Sequence, residues 1–103
     1  MVRESEIQAD ILLALGSKPS MYVERRNAGA FMGVGGMVRA GVAGVADILV
    51  VYEGRAIALE VKTPTGRLRP AQRRWRQAWV KAGGEYYIVR CVADANRAIY
   101  DTA

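Results

Sequence analysis

Apolar residues recur every three or four positions in two segments of the chain. Residues 3–15, RESEIQADILLAL, carry them at positions 7, 11, 12 and 15, and Gly16 follows as a stop signal. Residues 70–82 form the second segment, which opens with a proline suited to a first helical turn and ends before a Gly-Gly pair. A third, shorter helix is expected to begin near Asp94. The pattern therefore predicts helices at the start, after the middle and at the end of the chain.

Runs of apolar and alternating residues predict the strands. The residues that favour extended structure are MYVERRN at 21–27, ADILVVY at 46–52, AIALEVK at 56–62 and EYYIVRCV at 85–92. Glu53-Gly54 separates the middle two and has the form of a two-residue hairpin turn. Residues 28–44 contain six glycines, which predict a flexible loop or a tight hairpin. The expected element order is αβββαβα, in one domain over residues 1–103.

Composition narrows the possible chemistry. The chain has 103 residues and carries 15 Lys and Arg against 10 Asp and Glu, so its net charge of +5 favours an anionic partner, nucleic acid first. It contains no His, which excludes Ser-His-Asp catalysis and the commonest zinc sites and leaves carboxylates and lysines. The single Cys91 allows no internal disulfide and is expected to be a buried structural thiol.

The amino-acid sequence also bears on where in the cell the protein is found. No apolar run approaches the ~20 residues that a membrane span needs, and the start of the chain lacks the apolar region of a signal peptide. A reducing, cytoplasmic setting is the expectation, in a bacterial cell or a phage-infected host.

Charged residues interrupt the apolar strand IALEVK at Glu60 and Lys62, which share one face because strand side chains alternate. If Glu53 and Gly54 form the turn, antiparallel pairing places Asp47 opposite Glu60 on that face. Like charges that oppose each other directly are destabilising unless something compensates. Mg²⁺ or Mn²⁺ would compensate, since carboxylate oxygens are the ligands both ions prefer.

Two helices offer further candidates. Glu4 lies three and seven residues before Ile7 and Ile11, which predicts a place on the buried stripe of the first helix, whereas Glu6 is expected to face solvent. Glu4 is the better third carboxylate, with Glu6 as the alternative. Gln72 lies at the N-terminal end of the second long helix, beside its packing face, where it could reach the site.

Ordinary structural interpretations compete with these. A lone Glu-x-Lys in a strand is more often a solvated face or an ion pair than a site, and Asp47 alone could bond a turn. Trp75 and Trp79 have the spacing of core residues rather than of base-stacking platforms. A basic cluster near the proposed site favours a surface that follows the phosphates of a nucleic acid. Its members are Arg67, Arg69, Arg73, Arg74 and Arg76, with Arg25, Arg26 and Arg39 as additions.

Together these residues resemble the PD-(D/E)XK nuclease superfamily: Asp47, then Glu60-x-Lys62, then Gln72 after a short link. The segment GVAGVADILVVYEGRAIALEVKTPTGRLRPAQRRW is similar, more narrowly, to the virus-type replication and repair nuclease (VRR-NUC) family. The resemblance extends from ESEIQ to GGEYYIVR. One departure is Ala46, which stands where the family usually has Pro before the Asp.

The resemblance implies a restriction-endonuclease-like αβββαβ core, with a central mixed sheet flanked by helices, and Mg²⁺- or Mn²⁺-dependent hydrolysis of phosphodiester bonds in structured DNA. By analogy, Glu4, Asp47, Glu60 and the Val61 carbonyl would hold the metal. Lys62 would position or activate water, and Gln72 would support Lys62 or the phosphate. Short stand-alone family members resemble Holliday junction resolvases and act as homodimers, which implies a four-way junction as substrate. Flap or fork cleavage, a non-catalytic DNA-binding module and a partner for an acidic protein are the alternatives.

Overall fold

The computed structural model describes residues 2–16, 18–26, 30–33, 36–39 and 42–101. The helices in these residues are α1 (Glu4–Leu15), α2 (Pro70–Lys81) and α3 (Val92–Tyr100). The strands are β1 (Met21–Arg25), β2 (Ala30–Gly33), β3 (Gly36–Arg39), β4 (Ile48–Tyr52), β5 (Arg55–Val61) and β6 (Glu85–Val89). The seven predicted elements occur in the predicted order, and the glycine-rich segment adds the antiparallel pair β2–β3 after the first predicted strand, a hairpin being one of the two expected forms of that segment.

The main sheet is mixed, with strand order β1-β4-β5-β6. β1, β4 and β5 pair antiparallel, whereas β6 lies parallel to β5. A parallel neighbour requires a crossover connection, and α2 provides it. The expected α/β class, a central mixed sheet with helices packed on it, is confirmed.

Helices α1 and α3 cover one face of this sheet. Alternate residues of β4 and β5 point into that layer, since strand side chains alternate between faces. The buried residues of the layer are Ile48, Val50, Ile57, Leu59, Val61 and Val89 from the strands, Ile7, Ile11 and Leu15 from α1, and Ala95, Ala98 and Ile99 from α3. None of the helices within the described residues is both long and apolar enough to cross a membrane.

The β4–β5 hairpin has the predicted two-residue turn. Glu53 and Gly54 both adopt positive φ, at 51° and 77°, as a type I′ turn requires. Tyr52 and Arg55 form the pair that closes the turn. The Arg55 guanidinium binds both carboxylate oxygens of Glu85 at 2.8 and 2.9 Å and donates to the last carbonyls of α3, which fastens the hairpin to its neighbours. The register of β4 against β5 is therefore fixed by the turn, and the bidentate ion pair joins β5 to β6.

Gly44 brings the chain before β4 against the first turn of α2. Its φ is +79°, and a Cβ added there would lie 2.1 Å from the Ala71 carbonyl oxygen. Only glycine permits both the backbone conformation and the approach. The contact places the N-terminal end of α2, with Gln72, beside the segment that leads to Asp47.

Cys91 is exposed, so the expectation of a buried thiol is wrong. The strand ends at Val89, and Cys91 is the residue that precedes the first turn of α3. The apolar run YYIV therefore stops before the cysteine, which lies at a strand-to-helix junction instead of in the core.

Replacement of Gly44 by Ala is expected to destabilise the protein more than replacement of Gly54 by Ala. Both glycines have nearly the same positive φ, which costs an L-residue about 1–2 kcal/mol. A Cβ at Gly54 meets nothing within 4 Å, whereas one at Gly44 collides with Ala71. Urea unfolding measures the free energy of unfolding of both variants, and the difference between them is the cost of the collision with Ala71. Equal losses would show that Gly44 does not lie against Ala71.

Candidate active site

Two carboxylates come together where β4 begins and β5 ends. The β4–β5 ladder pairs Ile48 with Leu59, and the same register one step further places Asp47 opposite Glu60. Asp47 is held from both sides: its carbonyl accepts from the Arg26 N–H at 2.7 Å, and its Oδ2 accepts from the Val61 N–H at 2.9 Å. The structure thus brings these two predicted acids together, on a fixed backbone.

Glu60 is almost completely buried, at 1% relative exposure. Its Oε2 accepts from Gln72 Nε2 at 3.2 Å and lies 3.8 Å from Lys62 Nζ. Its Oε1 is buried without a hydrogen-bond partner among the described residues. Burial comes first among the causes that raise the pKa of Glu60 to about 8, followed by the charge of Asp47 and by a hydrogen bond that the protonated Glu60 carboxyl can donate to Asp47; the attraction of Lys62 offsets this only in part. The oxygen without a partner is therefore a property of the ionised carboxylate.

Gln72 links α2 to Glu60 and Lys62 at the end of β5. Its Oε1 accepts from Lys62 Nζ at 3.0 Å and from the Arg69 N–H at 2.8 Å, and its Nε2 faces Glu60. Because two donors meet the amide oxygen, the orientation of the amide is fixed. The bond from Arg69 is also the one that a Gln at the third helical position makes in a capping box. Lys62 is 4% exposed, so its ammonium is held in place by these contacts.

The carboxylate pair suits a divalent cation. An oxygen of a buried, ionisable carboxyl lacks a partner, and a second carboxylate faces it across the ladder, so an ion between them would satisfy the oxygen and neutralise the repulsion. Within residues 2–16, 18–26 and 42–101, no group of three or more acidic or thiol side chains lies close enough together to hold one metal ion as the structure stands. Waters and substrate oxygens commonly complete the shell of such ions.

Glu4 is the predicted ligand that the structure does not bring up to the carboxylate pair. The expectation that it lies on the buried stripe of α1 is wrong, since it is exposed at the first position of the helix. Burial of α1 begins one turn later, at Ile7, where the helix first reaches the sheet. The charge of Glu4 nevertheless acts on Glu60 and contributes to the raised pKa of that group, so Glu4 lies at the margin of the site. Glu6 is exposed, as expected.

The predicted basic cluster lies on the loop before α2 and on that helix, where Arg73 and Arg74 are on the outer face and Arg76 reaches the Tyr86 ring. Its members, Arg67, Arg69, Arg73, Arg74 and Arg76, are all exposed. An open groove of about 690 Å³ runs along the helix, lined by Pro70, Arg73, Arg74, Arg76, Gln77, Val80 and Lys81.

The additional arginines belong to other segments of the chain. Arg25 is exposed at the end of β1, and Arg26 pairs with Glu24 at 2.7 Å. The side chain of Arg39 lies outside the described residues.

Trp75 and Trp79 pack on the inner side of α2. Their rings stack with centroids 4.9 Å apart, and Trp79 Nε1 donates to the Glu85 carbonyl at 2.8 Å. A Cβ at Gly84 would lie 2.3 Å from that same indole nitrogen. The tryptophans therefore anchor α2 to the start of β6, which agrees with their predicted packing role.

Two residues of this face were missed at the level of sequence. The parallel pairing of β5 with β6 sets Tyr86 beside Ala58, and Arg90 follows the end of the same strand. Arg90 donates to the carbonyls of Thr63 and Gly66, the latter at 3.1 Å, and so holds the loop that joins Lys62 to α2. No local pattern marks either residue, because the pairing that places them joins segments about 28 residues apart.

Comparison with solved structures agrees with the fold. A solved chain described as a "VRR_NUC domain" superposes with a TM-score of 0.61 at 21% sequence identity, over 91% of this chain and 90% of that one. No protein-family model matches the sequence, and no curated protein matches it. This chain therefore has the fold of a VRR_NUC domain, within the restriction-endonuclease-like class. The fold expected from the sequence resemblance is confirmed.

Stability without metal is expected to fall as pH rises. The folded pKa of Glu60, about 8, exceeds the ordinary value of 4.5, so the folded state binds more protons than the unfolded state between those pH values. The stabilising contribution is present at pH 4 and is lost as pH rises through 8. Relative to the wild type, Glu60→Gln should gain on the order of 3 kcal/mol between pH 5 and 8.5.

Denaturant unfolding in the presence of a chelator measures this difference. Added Mn²⁺ should reduce the loss in the wild type, because a cation between the carboxylates favours their ionised form. Parallel pH profiles of the wild type and Glu60→Gln would show that Glu60 titrates normally.

Proposed function

We propose that this protein is a metal-dependent DNA endonuclease of the VRR-NUC family that hydrolyses phosphodiester bonds. The observation that carries the proposal is the connected set Asp47, Glu60, Gln72 and Lys62, in which a buried carboxylate with an unpaired oxygen faces a second carboxylate and a fixed lysine. The VRR_NUC fold supports it independently, since that fold presents the same strand–helix arrangement.

In this proposal Asp47, Glu60 and the Val61 carbonyl hold one or two Mg²⁺ or Mn²⁺ ions. Glu4, which is exposed at the start of α1, would join them by turning its side chain toward the carboxylate pair when metal binds. When bound, such an ion neutralises charge that develops on the phosphoryl oxygens and promotes deprotonation of water. Lys62 orients the attacking water or stabilises the charged transition state, because its ammonium is confined beside Glu60. Gln72 keeps the Lys62 ammonium in position. In-line hydrolysis would leave a 5′-phosphate on the product.

Branched DNA, and the four-way junction in particular, is the proposed substrate, and a homodimer is the proposed assembly. Two symmetric cuts in a junction need two sites related by a two-fold axis, which a dimer provides. The exposed arginines on α2 and its preceding loop would follow the phosphates of one arm. Cleavage of flaps or replication forks is the alternative within the nuclease class.

A non-catalytic DNA-binding module is the alternative from another class. It would keep the basic face of α2 and bind DNA in a salt-dependent manner, but it would have no use for the buried set around Glu60. The cost in folding stability argues against this alternative. An ionisable carboxyl buried beside another acid destabilises the fold, and a module that needs only its basic face would gain nothing from keeping it.

Replacement of Lys62 by Ala should lower the cleavage rate by about 100-fold or more, the usual loss when one group that stabilises transition-state charge is removed. The assay is single-turnover cleavage of an end-labelled four-way junction with Mn²⁺, alongside a flap and a linear duplex. Lys18→Ala serves as the control, because Lys18 is exposed beside Tyr100, outside the proposed site. Undiminished cleavage by Lys62→Ala would remove its catalytic assignment, and binding without any metal-dependent cleavage by the wild type would favour the module.

Charge removal on the basic face should weaken DNA binding and its salt dependence. The variant Arg67→Gln/Arg73→Gln/Arg74→Gln removes three exposed charges near the site, and the matched control Arg3→Gln/Lys18→Gln/Arg97→Gln removes three elsewhere. If each of the first three contacts a phosphate, the slope of log affinity against log salt should fall by roughly 2–3. Fluorescence anisotropy in Ca²⁺ measures it, and equal slopes for the two variants would show that net charge alone attracts DNA.

A further inference from the structure

Tyr86 carries a buried hydroxyl that the packing of its ring does not explain. The ring lies 6.1 Å from that of Trp75 and 5.8 Å from the Arg76 guanidinium, measured between centres. A phenylalanine would make both contacts equally well. The hydroxyl, however, is buried with no hydrogen-bond partner among the described residues. An unsatisfied buried polar group costs about 1–3 kcal/mol, so its presence calls for a partner that the protein itself does not supply.

The position of Tyr86 indicates where that partner lies. Strand β6 pairs parallel with β5, and Tyr86 stands directly beside Ala58, on the face that carries Glu60 and Lys62. Its neighbour Trp75 lies one helical turn after Gln72 on α2. Ala58 offers only a methyl group between Tyr86 and β4. The hydroxyl therefore lies on the same face of the sheet as the carboxylate pair, between the sheet and α2.

Two buried side-chain atoms of the described residues lack hydrogen-bond partners, and one can accept a hydrogen bond while the other can donate one. Glu60 Oε1 is an acceptor when ionised, and the Tyr86 hydroxyl is a donor. Burial, with the charge of Glu60 as a further cause, raises the pKa of Tyr86 well above its ordinary value. The hydroxyl consequently stays protonated through neutral pH and acts as a donor rather than as a base.

We infer that Tyr86 is a positioning residue of the site: its hydroxyl donates a hydrogen bond to a water molecule held beside Glu60 and orients that water for the reaction. The inference rests on the proposed nuclease function and adds a residue to it. The Tyr86 hydroxyl has almost no accessible surface. A small shift of the side chain would admit one water molecule, whereas a DNA phosphate is larger and would need a wider opening, so water is the proposed partner.

Tyr86→Phe tests this, since it removes one oxygen and keeps the ring. The single-turnover rate in Mn²⁺ should fall roughly 10- to 100-fold, the loss expected from one hydrogen bond in a charged site. DNA affinity in Ca²⁺ should not change, and the melting temperature should stay the same or rise, because the hydroxyl has no protein partner to lose.

Tyr87→Phe is the matched control on the next residue of β6. The Tyr87 hydroxyl donates to Glu85 at 2.7 Å, and its side chain packs against the core on the opposite face. This variant should lose stability and keep the wild-type cleavage rate. The pair of variants therefore separates a catalytic effect from a structural one, and a high-resolution crystal structure should show the water within hydrogen-bond distance of Tyr86.

Each outcome decides the matter. A wild-type rate for Tyr86→Phe, or a rate loss matched by losses of stability and DNA affinity, would overturn the role of Tyr86 while the nuclease function stands. Absence of metal-dependent cleavage by the wild-type protein would overturn the function and this inference together, and it is visible before any variant is compared.

Discussion

The opposition of Asp47 and Glu60 across the β4–β5 ladder is the constraint on which the site depends. Two acids face each other at the end of a tight hairpin, and one of them is buried so deeply that its pKa rises to about 8. Such an arrangement costs stability in the absence of a counterion. The surrounding structure keeps it in place: the turn fixes the register, the Val61 N–H holds Asp47, and Gln72 holds Glu60.

Helix α2 connects this pair to the surface. Gln72, its one buried residue, bonds Glu60 and Lys62 on the inner side, while the outer side presents exposed arginines. Close approaches at both ends fix the helix: Gly44 lies against Ala71, and Gly84 lies against Trp79. One rigid element thus carries a buried polar contact and a cationic face.

The unpaired polar atoms have a common interpretation. Glu60 Oε1 and the Tyr86 hydroxyl are the buried side-chain atoms without partners in the described part of the chain, and both face the same side of the sheet. Proteins satisfy nearly all buried polar groups, so two exceptions on one face mark a place built for something other than protein. A cation and a water molecule would satisfy one acceptor and one donor, respectively.

The sequence by itself determined the features that depend on neighbouring residues: the helices and the register of the β4–β5 hairpin. Helical periodicity placed α1 and α2, and the Glu53-Gly54 turn fixed the opposition of Asp47 and Glu60, because a two-residue turn leaves a single register. Tertiary structure decided the remainder. Parallel pairing of β6 brought Tyr86 and Arg90 to the site from a distant segment, the start of α1 left Glu4 exposed, and the end of β6 at Val89 exposed Cys91. These outcomes depend on where elements meet and stop, and periodicity within one element carries no information about its neighbours across the sheet.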